Sequence, residues 1–123
     1  MTLYASREDY LEAILVLYKK FGSVRSVDIA RHMGVSKPSV CHAVNVLCDG
    51  GFLTKDDRHF ISLTEEGRKV AEKIYERHKF FKEQLISAGV RPNIAETEAC
   101  RIEHCISDES FLKLKEYREK GKG

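Results

Sequence analysis

No stretch of this 123-residue chain approaches the ~18 consecutive apolar residues that a membrane-spanning helix needs, so a membrane partner is not expected. The opening residues Met1-Thr2-Leu3-Tyr4 lack the basic and then apolar run of a secretory leader. Four cysteines, none in a C-x-x-C pair, are too few for a secreted disulfide scaffold and wrongly spaced for a zinc finger. These absences describe a cytoplasmic chain with reduced thiols. Neither sign of charge dominates: 21 Lys and Arg stand against 19 Asp and Glu, for a net charge of +2. Residues 1–63 hold eight basic side chains and seven acidic ones, and residues 64–123 hold thirteen and twelve. Bulk charge therefore names no polyanionic partner, and any case for nucleic acid must come from architecture. Internal repeats, low-complexity stretches, a pocket-forming Gly-rich loop and a nucleophile motif are all missing. No enzyme activity and no small organic substrate are expected.

What is there is enough to fold. Apolar residues make up 42% of the chain, with aromatic and β-branched side chains throughout. The length suits one domain, or a small domain with a helical extension. Residues 6–21 read as a helix capped by Ser6, with Asp9 three residues on and a stripe of Tyr10, Ile14, Leu17 and Phe21. Residues 26–33 form a second helix, with Ser26 as its cap, Ile29, Ala30 and Met33 inward, and Gly34 as its stop. Ser36 caps a third helix to about Asp49, with Pro38 in the first turn and Val40, Val44, Leu47 and Cys48 as its core stripe. Gly50-Gly51 breaks that pattern. Residues 52–55 and 59–63 flank the polar turn Asp56-Asp57-Arg58, which reads as a β-hairpin. Thr64 caps a long helix with the stripe Val70, Ile74, His78, Phe81 and Leu85, stopped by Gly89. A helix from Pro92 to about Ile106 follows. A last one, capped by Ser107 or Asp108, buries Phe111, Leu112, Leu114 and Tyr117. Glu119 to Gly123 read as a frayed tail.

This order gives a mainly α fold: an N-terminal winged helix–turn–helix with a small β-hairpin wing, then a helical region. The expected division is residues 1–65 and 66–123. A helix–turn–helix leads its second helix into the major groove by the N-terminal end. Here that end offers Ser36, Lys37, Pro38, Ser39 and His42, with Asn45 further along the same side. Small hydroxyls permit close approach, Lys37 can neutralise a phosphate, and Pro38 can meet a thymine methyl. Lys55 and Arg58, with His59, would make the wing a backbone contact. Against this, winged helices also bind proteins, and Asp56-Asp57 puts negative charge in the wing.

A sharper pattern lies in Cys100-Arg101-Ile102-Glu103-His104. Cys100, Glu103 and His104 sit at i, i+3 and i+4, so all three are expected to project from one face of one helix. Thiolate, carboxylate and imidazole together make a donor set for a divalent transition metal. Glu96 lies one turn earlier on that face as a further candidate. Ile94, Glu98, Ile102 and Cys105 fall on a different stripe, taken as the core side. Asp9, Glu12 and His78 are candidates to close the coordination sphere. The bland alternatives are a satisfied core histidine for His78 and ordinary helix acids for Asp9 and Glu12. Cys41, Cys48 and Cys105 read as small core or boundary residues.

Taken in order, these residues resemble the manganese- and iron-dependent repressors, the group of the diphtheria toxin repressor and its shorter manganese-sensing relatives. The similarity runs from Glu8-Asp9-Tyr10 to about Glu119. It is most specific over Glu98 to His104 and Ser107-Asp108-Glu109. It is weaker at Ser36-x-Pro38-Ser39-Val40, Leu63-Thr64-x-x-Gly67 and Arg77-His78. The resemblance implies a homodimer whose winged helices bind a palindromic double-stranded operator, with metal occupancy repressing metal-uptake genes. It implies metal ligands at Asp9, Glu12, His78, Cys100, Glu103 and His104. Cys100 agrees with the iron branch, where the manganese branch has glutamate. Lys82 and Glu96 stand where the iron branch has a glutamate and a histidine ligand, so its ancillary site is expected to be altered. The C-terminal SH3-like domain of longer members is expected to be missing. The implied metal is Fe²⁺ or Mn²⁺, with Co²⁺, Ni²⁺ or Zn²⁺ able to bind in vitro. Two rivals remain: a winged-helix regulator that senses no metal, and a metalloenzyme built around Cys100, Glu103 and His104.

Overall fold

The structure is a computed structural model that describes residues 6–122, so the leader reading at Met1 to Tyr4 falls outside the described residues. Among the described residues there are six helices and one two-stranded antiparallel hairpin. They run in the order α1 (Arg7–Phe21), α2 (Ser26–Met33), α3 (Lys37–Asp49), β1 (Leu53–Lys55), β2 (Ile61–Leu63), α4 (Glu65–Ser87), α5 (Pro92–Ile102) and α6 (Asp108–Lys122). The chain divides into two compact units between Lys73 and Ile74, within α4. No helix among the described residues is long and apolar enough to cross a membrane.

In the first unit, Ser6 and Asp9 close a reciprocal capping box at 3.0 and 2.9 Å, which starts α1. Leu11, Ile14, Leu15 and Leu17 are buried, but Phe21, expected to end the stripe, is 68% exposed. The last turn of α1 projects past the core, and Gly22 at φ 79° ends it there. α2 spans the expected residues, but its cap lies one residue earlier than expected. Arg25 takes that place because Asp28 accepts its backbone N–H at 2.9 Å, leaving Ser26 as the first helical residue. Ser36 caps α3 as expected, accepting from the Ser39 N–H at 3.2 Å. Val40, Val44 and Leu47 point inward, while Cys48 is half-buried and Cys41 is exposed, against the expectation for that cysteine.

The hairpin pairs Leu53 with Leu63 and Lys55 with Ile61, burying Leu53 and Ile61 on one face. Ile61 also donates its N–H to the Val24 carbonyl at 2.8 Å, fixing β2 against the segment before α2. Thr64 ties the wing to α4: its hydroxyl donates to the Gly51 carbonyl at 2.6 Å and accepts from the Gly67 N–H at 3.1 Å. A Cβ at position 67 would lie 2.0 Å from the Phe52 carbonyl oxygen, so only glycine allows this crossing.

In the second unit, α5 does not continue to Ile106. It ends at Ile102, and Glu103 is its C-cap. The Arg77 guanidinium takes the freed carbonyls of Glu103 and Ile106 at 3.2 and 2.6 Å and pairs with Asp108, so a turn replaces the helix. The buried stripe of α5 is Ala95, Ala99 and Glu103; Ile94 and Ile102 are half-buried and Cys105 is exposed. The expected separation of core face from ligand face therefore fails, because Glu103 lies on the core stripe. Ser107 caps α6 through the Ser110 N–H at 3.1 Å, and the helix runs to Lys122 where a frayed tail was expected. Gly123 is outside the described residues.

Phe111 is buried against Phe80, with ring centroids 5.4 Å apart. Leu112, Leu114 and Tyr117 are exposed, against expectation. The inward face of α6 is instead Phe111 with two cations, Lys115 and Arg118, which pair with Glu76 at 2.5 Å and Glu83 at 3.3 Å on α4. Their aliphatic stems and cations also cover Phe111 and Phe80, turning the neighbouring apolar positions outward.

Candidate metal centre

α4 and α5 bring His78, Cys100 and Glu103 together. Their donor atoms all lie within 4.8 Å of one another. His78 Nδ1 is 2.9 Å from Glu103 Oε2 and 3.7 Å from Cys100 Sγ. Its other ring nitrogen, Nε2, is 2.5 Å from Glu96 Oε2. Lys82, one turn beyond His78 on α4, places Nζ 3.5 Å from that same Glu96 oxygen. His104 follows in the turn after α5, with Nε2 3.4 Å from Glu103 Oε1. Because α5 ends at Ile102, Cys100, Glu103 and His104 do not all project from one helix; the turn aims His104. Asp9 and Glu12 are half-buried on α1, in the first unit.

The electrostatics favour a cation. Cys100 and then Glu103 hold the imidazole proton of His78 against the opposing cost of burial, and Glu96 adds to them, pushing its pKa up to about 11. Burial raises the Glu96 carboxyl, but the His78 and Lys82 cations outweigh it and leave the pKa lowered. Glu103 is 0% exposed, and among the described residues its Oε1 finds no hydrogen-bond donor. A buried carboxylate oxygen without a hydrogen-bond donor is costly, and a metal ion is one thing that satisfies it. The donor set of thiolate, imidazole and carboxylate has the chemistry of a divalent transition-metal site, so the residues present fit such an ion.

Sequence reasoning passed over the residue that shapes this centre. Arg77 is buried, and it was visible only as the neighbour of His78. The available signal was its place three residues after Ile74, on the apolar side of α4. There a long cation must either snorkel or find buried acceptors.

The residues expected to face DNA are all on the surface of the first unit. Ser36, Lys37, Pro38, Ser39, His42 and Asn45 on α3, and Lys55, Arg58 and His59 in the wing, are exposed. Asp56 counts less against the wing than its charge suggests. Its carboxylate accepts the N–H groups of Arg58 and Phe60, both at 2.9 Å, and so closes the turn around His59, which sits at φ 67°.

Residues 2–59 match the family description "Iron dependent repressor, N-terminal DNA binding domain", and residues 64–122 match "Iron dependent repressor, metal binding and dimerisation domain". The chain belongs to the iron-dependent repressor family. It is similar to the transcriptional regulator MntR of Escherichia coli O6:H1, 34% identical over 113 residues that cover 92% of this chain and 73% of that protein. It is also similar to an uncharacterized HTH-type transcriptional regulator of Methanocaldococcus jannaschii, at 33% identity over 95% of both chains. Among solved structures it resembles the manganese regulator SloR, with a TM-score of 0.84 and 26% identity over 95% of this chain. It spans about half of that solved chain, 55%. Family membership makes this a metal-dependent transcriptional repressor with a DNA-binding and a dimerisation region, which sets aside the winged helix that senses no metal. The relatives are regulators, which favours a DNA-binding role over a metalloenzyme.

Proposed function

We propose that Fe²⁺ or Mn²⁺ binding promotes homodimer binding to a palindromic operator and so represses metal-uptake genes. The observation that carries this is the convergence of His78, Cys100 and Glu103 in a chain whose other unit is a winged helix–turn–helix. His104 stands beside Glu103 as a further ligand. Asp9 and Glu12 join the set as candidate carboxylates that the family resemblance supports. The bound cation supplies the positive charge that offsets repulsion among these carboxylates. Oxygen donors favour Mn²⁺, while the Cys100 thiolate favours Fe²⁺ and softer ions such as Co²⁺, Ni²⁺ or Zn²⁺. On the DNA side, Ser36, Lys37, Pro38, Ser39, His42 and Asn45 face the groove, and Lys55 and Arg58 meet the backbone. Exposed Leu112, Leu114 and Tyr117 on α6 leave apolar surface for a second copy of the chain. Such coupling is reciprocal: metal that tightens operator binding is itself bound tighter on operator, typically by ~1–3 kcal/mol.

The test selects binding sites from a random pool of duplex DNA with Mn²⁺-loaded protein. Affinity for the selected duplex is then measured with no metal, with Mn²⁺ and with Fe²⁺ at fixed ionic strength. A rise of at least about tenfold on adding metal is expected, within the range of typical coupling energies. Equal affinity in all three conditions sinks the proposal.

A further inference from the structure

His78 has two ring nitrogens, and the structure gives each its own carboxylate. Nδ1 faces Glu103 and Cys100, at 2.9 and 3.7 Å; Nε2 faces Glu96, at 2.5 Å. We infer that Glu96 is a positioning residue of the metal centre and not a ligand: it accepts the Nε2–H of His78 and so presents Nδ1 to a single ion held with Cys100 and Glu103. The inference rests on the reading of His78, Cys100 and Glu103 as ligands.

A neutral imidazole has one nitrogen with a lone pair and one that carries hydrogen. Whichever nitrogen donates to a carboxylate cannot also bind the ion. Glu103 and Cys100 gather on the Nδ1 edge, so that edge has the donors for a coordination sphere. Among the described residues the Nε2 edge meets Glu96, and the Lys82 ammonium lies 3.5 Å from the oxygen that His78 uses. A fixed positive charge there opposes a second cation at that carboxylate. Lys82 also holds Glu96 in place when His78 binds metal. Helix spacing builds the arrangement: His78 and Lys82 are four apart on α4, and Glu96 and Cys100 four apart on α5. One turn of α5 thus puts a carboxylate on one edge of the ring and a thiol on the other. Glu103 also keeps Oε1 free of hydrogen bonds, whereas the Glu96 oxygen serves two cationic neighbours. Carboxylates that accept from the second nitrogen of a ligating histidine fix its tautomer and orientation, and their loss typically costs ~10–100-fold in metal affinity.

The experiment titrates the full chain with Co²⁺, reading the thiolate-to-cobalt absorption band, and records ¹⁵N imidazole spectra of the Zn²⁺-loaded form. Wild type should bind one ion through His78 with Nδ1 metal-bound and Nε2 protonated. Glu96→Ala should keep the thiolate band and the wild-type number of ions but lose affinity by ~10–100-fold. Its His78 signals should show a mixed or reversed nitrogen assignment. Glu96→Gln, whose amide oxygen accepts the same N–H, should recover most of the affinity. Three results overturn the inference: Nε2 ligation in wild type, undiminished affinity in Glu96→Ala, or Glu96→Gln losing as much as Glu96→Ala. A wild-type chain with no thiolate band would instead overturn the reading of the centre itself, on which the inference stands.

Discussion

Ser36 caps α3 with a bond to a residue three positions away, and Asp56 closes the wing turn within four. In the second unit, His78 reaches Glu103 across 25 residues and Arg77 reaches Asp108 across 31. The surface expected to face DNA is built from short-range contacts and exposed side chains. The metal centre is built from long-range contacts and buried charge. Short-range pieces can be altered one at a time with small, local effects. Long-range buried charges depend on one another, so removing one leaves others uncompensated.

The largest effect that would sharpen this contrast is expected at Glu103. Glu103→Gln keeps the shape of the side chain but removes its charge, and it should weaken Co²⁺ binding by more than the ~10–100-fold typical of outer partners. Isothermal titration checks it, and an unchanged affinity would remove Glu103 from the ligand set. Next comes Arg77→Met, which leaves the Glu103 and Ile106 carbonyls without their donor. A loss of about 2–4 kcal/mol is expected in urea unfolding of the metal-free chain. A loss under about 0.5 kcal/mol, the range of ordinary surface changes, would show that the turn stands without its guanidinium.

The third effect is pH dependence. The raised pKa of His78, about 11, means that the metal-free folded chain holds this proton more tightly than the unfolded chain. That contribution to stability is complete below the ordinary value of 6.5 and is lost as pH rises through about 11. A metal ion must displace the same proton, so metal affinity should rise by about tenfold per pH unit for this one group. Flat Zn²⁺ affinity between about pH 6 and pH 8 would contradict it. The smallest change is expected at Lys37→Ala, on the exposed side of the comparison. It should lower DNA affinity evenly across sequences and reduce the salt slope by about one, with metal affinity untouched. A sequence-selective loss would mean that Lys37 reads bases.

The same contrast explains what could be read from the chain alone. The winged helix–turn–helix was legible because its signals are local: Ser6 with Asp9, Ser36 with Pro38, Gly34, and the Gly50-Gly51 break. The misplaced cap of α2 was a local competition that Asp28 won by accepting from Arg25. In the second unit, helix periodicity carried α5 through to Ile106, since nothing near in sequence announces its end. The stop comes from Arg77, 26 residues before the first carbonyl it takes. Leu112, Leu114 and Tyr117 read as core because apolar residues usually are. Lys115 and Arg118 took the inward face by pairing with Glu76 and Glu83, partners that spacing does not reveal. The candidate ligands were named from residue type and resemblance. What spacing could not supply was the edge of the imidazole to which each partner belongs.

Gly67 draws one more consequence. A single absent methyl group lets the chain pass the Phe52 carbonyl where wing and α4 meet. In a library of every single substitution, selected for repression in cells, position 67 should be a blank column. Neighbours Glu66 and Arg68, both open to solvent, should tolerate most of the alphabet. Such a map would mark the joint between wing and helix without reference to metal or DNA.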